Sequence, residues 1–192
     1  MGVLNVTPDS FSDGGLFFEE KKANNQIKLM LNDGATIIDI GGESTRPGSE
    51  IITDANEWFR INIIITEFKK NFPEAILSLD TRKSQVMING IKNGVDIIND
   101  ISGLNFDKKS FDVVKSKQIP LILHHMQGTP NTMQQNPTYD DVLLDIFDFF
   151  ESKINFFKQK GYKKKLIILD PGIGFGKNLE HNLRLISKIS AF

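Results

Sequence analysis

Polar side chains occur at or near the ends of six apolar runs in this sequence. They are Asn5, Asp39, Asp80, Asn99, His124 and Asp170. Because parallel strands bring their carboxyl ends to one edge of a sheet, we expect these side chains to surround one site. Asp80 and Asp170 would accept N–H hydrogen bonds, and Asn99 offers both a donor and an acceptor. This set suits a ligand with several N–H donors, such as a heterocycle with an amide edge.

Two other interpretations of these residues remain open. The carboxylates could bind a divalent cation, since hard cations favour oxygen ligands. Any single Asp or Asn could instead cap the next helix, and this applies most to the pair Asn99 and Asp100. Zinc is disfavoured, because His124 and His125 have no third nitrogen ligand nearby. One of the two histidines would pack in the core while the other contacts the ligand.

A glycine-rich segment, Gly172 to Lys177, follows Asp170 and resembles a phosphate-binding loop at first sight. The spacing excludes that motif, because its first glycine would fall at Pro171. Asn178 also replaces the Ser or Thr that such a loop needs for magnesium. The glycines instead allow another group to approach the backbone closely.

Anion binding is predicted in a different loop, which follows Asp39. The hydroxyls of Ser44 and Thr45 and the guanidinium of Arg46 could together hold a phosphate group. A lone Arg is more often a surface residue, so Arg46 by itself carries little weight.

Strands and helices alternate along the chain, judged from apolar periodicity and turn residues. The predicted strands are Gly2–Val6, Ala35–Ile40, Ala75–Leu79, Val95–Ile98, Pro120–Leu123 and Leu166–Leu169. The predicted helices are Glu19–Leu31, Asn56–Lys70, Thr81–Ile91, Lys108–Lys115, Tyr139–Lys160 and Leu183–Ile189. The longest helix is expected to present one apolar face, made of Leu143, Phe147, Phe150, Ile154 and Phe157.

Six uniformly apolar strands alternating with helices indicate a parallel α/β sheet. A doubly wound sheet gathers its ligand residues at one switch point, whereas a barrel takes them from the ends of many strands. The six polar strand ends therefore favour a TIM (β/α)8 barrel. We expect a single domain over residues 1–192, with about six of the eight βα units present and the chain truncated before the seventh and eighth strands.

The composition argues against several classes of partner. The 192 residues carry 23 basic and 24 acidic side chains, a net charge of −1, so no broad field attracts nucleic acid or an anionic membrane. The absence of Cys excludes disulfides and thiolate metal sites. No signal-peptide pattern and no apolar run of ~18 residues is present, which predicts a cytoplasmic protein.

Four loop motifs occur in the order typical of dihydropteroate synthases, and the chain resembles that family from Met1 to about Asn182. The motifs are Asn5–Gly15, Asp39–Gly48, Ile98–Gly103 and Asp170–Lys177, with His125–Pro130 between the last two. The resemblance implies a pterin-binding TIM barrel of folate biosynthesis and a sulfonamide target. Such enzymes are transferases that condense 6-hydroxymethyl-7,8-dihydropterin diphosphate with p-aminobenzoate and release pyrophosphate, with Mg2+ present.

The resemblance also implies roles for individual residues. Asp80 would be catalytic, stabilising positive charge that develops on the pterin methylene. The pterin diphosphate site would comprise Thr45, Asp80, Asn99, Ile101, Met126, Asp170 and Phe175. The first two loops would form the p-aminobenzoate pocket with Phe11, Arg46 and Pro47, and Asn5 would bind Mg2+. The full-length protein would be a homodimer.

The family also uses a Lys after its seventh strand and an Arg-x-His on its eighth, and neither region is present here. We therefore expect the 192-residue chain alone to be inactive.

Two alternative functions remain open. A methyltetrahydrofolate corrinoid methyltransferase would share the pterin carboxylates, although the Ser44–Gly48 loop favours the synthase. A catalytically dead, regulatory pterin-binding module is disfavoured by the intact Asn5, Thr45 and Asp80.

Overall fold

Six parallel strands alternate with six α-helices in the computed structural model, which describes residues 1–7, 15–44 and 49–192, without the side chains of residues 15–19. The strands are β1 (Gly2–Asn5), β2 (Ile37–Gly41), β3 (Ile76–Asp80), β4 (Ile97–Asp100), β5 (Leu121–His124) and β6 (Ile167–Asp170). The helices are α1 (Gly15–Asn32), α2 (Asp54–Asn71), α3 (Ser84–Lys92), α4 (Ser110–Lys117), α5 (Val142–Gln159) and α6 (Leu179–Ser187). Short 3-10 turns cover Lys164–Leu166 and Ile189–Ala191. The predicted alternation is confirmed.

The chain divides into two compact units. Unit 1 comprises residues 1–44 and 50–99, and unit 2 comprises residues 45–49 and 100–192. The boundary therefore falls inside β4, between Asn99 and Asp100. The single domain expected from the sequence stays a prediction.

Unit 1 is built on parallel strands in continuous register. Ile38 pairs with Leu77 and Leu79 with Ile98, and all four side chains are buried. Helix α2 covers these strands with Ile61, Ile65 and Phe68, which are fully buried as their helical spacing predicts. The helix begins after Thr53, whose hydroxyl accepts the Asn56 N–H at 3.2 Å.

Unit 2 contains the parallel pair β5 and β6, with Leu121 opposite Ile167 and His124 opposite Asp170. Asp141 caps α5 by accepting the N–H groups of Leu143 and Leu144, so the helix begins at Val142 and not at the predicted Tyr139. The predicted apolar face is only partly right, because Phe147 is 46% exposed and Leu143 and Ile154 are only half-buried.

The buried face of α5 is instead Val142, Ile146, Phe150 and Phe157. These positions follow the 3.6-residue period, and Phe147, one residue after the buried Ile146, is turned about 100° away from it towards solvent. Helix α6 likewise begins at Leu179, four residues before the predicted Leu183, because Asn178 and His181 form a capping box.

Candidate functional site

A row of polar residues crosses the carboxyl ends of the strands in unit 1. The strand register places Asn5 opposite Gly41, Gly41 opposite Asp80, and Asp80 opposite Asn99. Three residues predicted from the sequence, Asn5, Asp80 and Asn99, therefore lie on one edge. Side chains at matched positions of a parallel sheet point to the same face, so these three share a face as well as an edge.

Gly41 leaves space in the middle of this row. A Cβ at that position would lie 3.3 Å from Asp80 Oδ2 and 3.6 Å from Asn5 Oδ1. Any side chain there would fill the space between the carboxylate and the amide oxygen. Two oxygen atoms thus flank an open cradle, a donor set of the kind that hard cations prefer.

Asp39 lies one layer below the row, which corrects the expectation that it ends its strand. It is the third residue of β2, two positions before Gly41, and only 3% of its surface is exposed. Its carboxylate accepts hydrogen bonds from Ser78 Oγ at 2.5 Å and from Asn99 Nδ2 at 2.9 Å. Asp39 is therefore a support for Asn99, because its carboxylate lies beneath the polar row.

The contact with Asp39 fixes how the Asn99 amide is oriented. A carboxylate only accepts hydrogen bonds, so the NH2 group of Asn99 must face Asp39 and the carbonyl oxygen must face away. This Oδ1 atom is buried, and no described residue is its hydrogen-bond partner. An unsatisfied buried acceptor is costly, at about 1–3 kcal/mol, unless a ligand donates to it.

A buried charge network, formed by Glu43, Glu57, Arg82 and Lys83, lies beyond the ends of β2 and β3. Lys83 Nζ donates to Glu57 Oε2 at 2.5 Å and to Glu43 Oε1 at 2.8 Å, and Arg82 Nε donates to Glu43 Oε2 at 2.8 Å. None of the four side chains is more than 9% exposed. No local pattern in the sequence predicts this network, because the residues from Thr81 to Ser84 indicate only the start of a helix.

The pKa values of the two carboxyl groups in the network shift in opposite directions. Burial alone would raise the pKa of Glu43, but the hydrogen bonds and charges of Arg82 and Lys83 hold it below the ordinary value. Burial raises the pKa of Glu57, and the hydrogen bond from Lys83 offsets only part of that rise. The difference follows from the number of cations, since Glu43 has two partners and Glu57 shares one of them.

Three predicted site residues of unit 2, Ile101, Asp170 and Phe175, lie next to His124 or His125. The Nδ1 atom of His124 lies 3.2 Å from the Ile101 carbonyl oxygen, and the Phe175 ring meets the imidazole edge-on at 4.6 Å. His125 donates its backbone N–H to the Asp170 carbonyl at 2.9 Å. Phe175 is half-buried, which leaves part of its ring exposed. His124 is buried and its pKa is lowered, chiefly by that burial.

His125 and Lys177 form a second buried pair in this unit. Their nitrogen atoms, Nδ1 and Nζ, are 3.1 Å apart, and the two residues are 8% and 3% exposed. Burial, with the Lys177 charge, lowers the pKa of His125 to about 3, and burial lowers that of Lys177 to about 8. The neutral imidazole therefore accepts a hydrogen bond from the ammonium. Both histidine side chains are buried, and the expectation that one of them contacts the ligand stays a prediction.

Four predicted site residues lie outside the described residues. They are Phe11, Thr45, Arg46 and Pro47. In the part of the chain that the structure describes, no group of three or more His, Cys, Asp or Glu side chains is arranged to hold a metal ion. Among the described helices, none is long and apolar enough to cross a membrane.

Comparison with known proteins shows one consistent similarity. The family model described as "Pterin binding enzyme" matches residues 1–192. The dihydropteroate synthase of Escherichia coli K12 is 43% identical over 192 residues, covering 100% of this chain and 67% of that protein. A crystal structure of the Yersinia pestis dihydropteroate synthase with a sulfonamide drug complex superposes with a TM-score of 0.90 at 42% identity, covering 99% of this chain and 68% of that one.

A third relative, the Xanthomonas albilineans dihydropteroate synthase with 4-aminobenzoic acid, superposes with a TM-score of 0.87 at 34% identity. The match covers 99% of this chain and 66% of that one. The chain thus spans about two thirds of the length of these relatives. The predicted TIM-barrel fold class is confirmed, with six βα units in this chain.

Proposed function

The chain belongs to the pterin binding enzyme family, and from that premise we propose that it carries the pterin-binding part of a dihydropteroate synthase. The reaction joins 6-hydroxymethyl-7,8-dihydropterin diphosphate to p-aminobenzoate and releases pyrophosphate. The observation that carries the proposal is the buried Oδ1 atom of Asn99, which has no hydrogen-bond partner among the described residues and lies in the same row as Asp80.

A pterin supplies the missing donors. Its amino group and ring N–H groups form one edge, and Asn99 Oδ1 and the Asp80 carboxylate accept from that edge. Asp39 holds the Asn99 amide in the orientation that leaves Oδ1 available. The family resemblance assigns Asp170 as a further acceptor for the pterin, and Ile101, Met126 and Phe175 as apolar contacts to its rings.

The chemical step is a substitution at the pterin methylene. The C–O bond to the diphosphate breaks, its electron pair leaves with pyrophosphate, and positive charge develops on the methylene carbon. The Asp80 carboxylate stabilises that charge. The lone pair of the p-aminobenzoate nitrogen then forms the new C–N bond, and the nitrogen loses a proton. The family resemblance assigns Thr45 to the diphosphate and Phe11, Arg46 and Pro47 to the p-aminobenzoate, and these four lie outside the described residues.

The residues present fit a magnesium ion. Asn5 Oδ1 and Asp80 Oδ2 flank the open cradle over Gly41, and both are oxygen donors. Asn5 would hold Mg2+ there, and the bound ion would neutralise charge on the departing diphosphate. The proposed enzyme is a homodimer in the cytoplasm. Nucleic acid and anionic membranes are not proposed as partners, because a net charge of −1 produces no broad field that would attract them.

Pyrophosphate release by the intact protein tests the proposal. Release should require p-aminobenzoate, and Asp80→Ala should abolish it. Asn99→Ala should weaken binding of the dihydropterin diphosphate by about 5- to 150-fold, the equivalent of about 1–3 kcal/mol for a lost buried hydrogen bond.

The matched control is Asn62→Ala, because the Asn62 side chain bonds only to backbone carbonyls of its own helix. Unchanged pterin affinity in Asn99→Ala would contradict the role of Oδ1. Tight pterin binding without pyrophosphate release would refute the synthase and favour the methyltransferase or the regulatory module.

A further inference from the structure

The loop between β6 and α6 packs directly on the residues that follow β5. A Cβ at Gly172 would lie 2.0 Å from the His125 carbonyl oxygen, and one at Gly176 would lie 2.6 Å from the Gln127 carbonyl oxygen. Both glycines also have positive φ, at +70° and +64°. Met126 lies between these two contact points in the sequence, and Phe175 lies between the two glycines.

Lys177 joins the same two segments through its ammonium group. Nζ donates to the Phe175 carbonyl at 2.9 Å, contacts His125 Nδ1 at 3.1 Å, and lies 3.4 Å from the His125 carbonyl oxygen. It also lies 6.0 Å from the centre of the Tyr139 ring. At 3% exposure the ammonium has little contact with water, so these protein acceptors replace its hydration.

We infer that Lys177 is a positioning residue for the pterin pocket, because it fixes the distance between the segments that carry Phe175 and Met126. The inference rests on the proposed function, which assigns those two side chains to the pterin rings. If the segments that carry Phe175 and Met126 moved apart, the buried ammonium of Lys177 would lose its hydrogen-bond acceptors. Leaving a buried charge without partners is strongly destabilising, so the two segments stay together. Lys177 thus acts through the backbone on either side of the pocket and does not contact the ligand.

The same loop has a weaker second tether, which provides an independent variant. The Tyr139 hydroxyl donates to the Gly176 carbonyl at 2.8 Å. Tyr139→Phe removes that single hydrogen bond and keeps the ring that packs against Lys177 and His125. It should fold normally even where Lys177→Met does not.

The test measures binding of 6-hydroxymethyl-7,8-dihydropterin diphosphate and the KM for p-aminobenzoate in the intact protein. Lys177→Met should weaken pterin binding by about 2- to 13-fold, the equivalent of the about 0.5–1.5 kcal/mol that a well-placed aromatic contact such as that of Phe175 contributes. The KM for p-aminobenzoate should stay unchanged, and Tyr139→Phe should shift pterin binding in the same direction by a smaller factor. A general loss of structure would instead weaken pterin binding and raise the KM for p-aminobenzoate together.

The matched control is Lys69→Met. Lys69 also donates to a backbone carbonyl, that of Ala75 at 2.8 Å, but it lies before the amino end of β3 and away from the pterin residues. The inference is overturned if Lys177→Met and Tyr139→Phe bind the pterin as the wild type does, or if both substrates are affected equally. Failure of the wild-type protein to bind the pterin would instead overturn the proposed function, and the inference with it.

Discussion

Replacing Lys83 with Met measures how strongly the buried charge network stabilises the ends of β2 and β3. The substitution keeps most of the side-chain volume but leaves Glu57, which is fully buried, without its cation. Removal of one partner from a buried ion pair costs about 3–5 kcal/mol, because the remaining charge stays desolvated. That is a large part of the about 5–15 kcal/mol by which a folded domain is stable.

The exposed pair of Lys70 and Glu67 provides the control. Their charged atoms are 2.8 Å apart, as are those of Lys83 and Glu43, but the Lys70 side chain is 71% exposed. Such helix-surface pairs contribute only about 0.3–0.5 kcal/mol. The free energy of unfolding, from urea denaturation of the intact protein, should therefore fall several-fold further in Lys83→Met than in Lys70→Met.

The destabilisation caused by Lys83→Met should depend on pH. In the wild type, the pKa of Glu43 is lowered, so this residue stabilises the fold at pH values above its unfolded-state pKa, and that stabilisation is lost as the pH falls. The pKa of Glu57 is raised, so its ionisation destabilises the fold as the pH rises. Without Lys83 both pKa values rise, so the variant takes up protons that the wild type does not. Its destabilisation should shrink as the pH falls from about 7.5 to about 5.

A double variant separates charge from packing. Glu57→Gln combined with Lys83→Met removes both members of the buried pair, so it should recover more than half of the stability lost in Lys83→Met alone. Equal destabilisation by Lys83→Met and Lys70→Met would refute the reasoning. Strict additivity of the two changes in the double variant would refute it as well.

Two further substitutions test the packing of unit 2. Gly172→Ala should destabilise the protein by at least about 1–2 kcal/mol more than Gly174→Ala, since both have positive φ but only the first would bring a Cβ within 2.0 Å of another atom. Equal unfolding midpoints would contradict that. Tyr162→Phe should cost about 1–3 kcal/mol by calorimetry, because the buried hydroxyl donates to the Ile119 carbonyl at 2.5 Å and its loss leaves that acceptor unsatisfied. A thermal midpoint identical to the wild type would show that water replaces the bond.

Local patterns were sufficient to predict most of the architecture. Each strand is an apolar run of a few residues ended by polar or glycine-rich segments, so its position depends on nearby sequence alone. The family motifs are likewise contiguous, and they include Asn5 and Asn99, while Asp80 was predicted from the end of its apolar run. Errors of a few residues arose where a side chain caps a helix, as Asp141 does for α5.

The tertiary structure decided which polar side chains support one another, because those pairs are distant in the sequence. Asp39 and Asn99 are separated by 60 residues, Glu43 and Lys83 by 40, and His125 and Lys177 by 52. No local period encodes such contacts. The sequence alone therefore determined the elements and the family, and its assignment of the pterin-site residues stays a prediction. Only the packing of strands and loops determined that Asn99 Oδ1 is left as a buried acceptor and that Lys83 and Lys177 are held by buried partners.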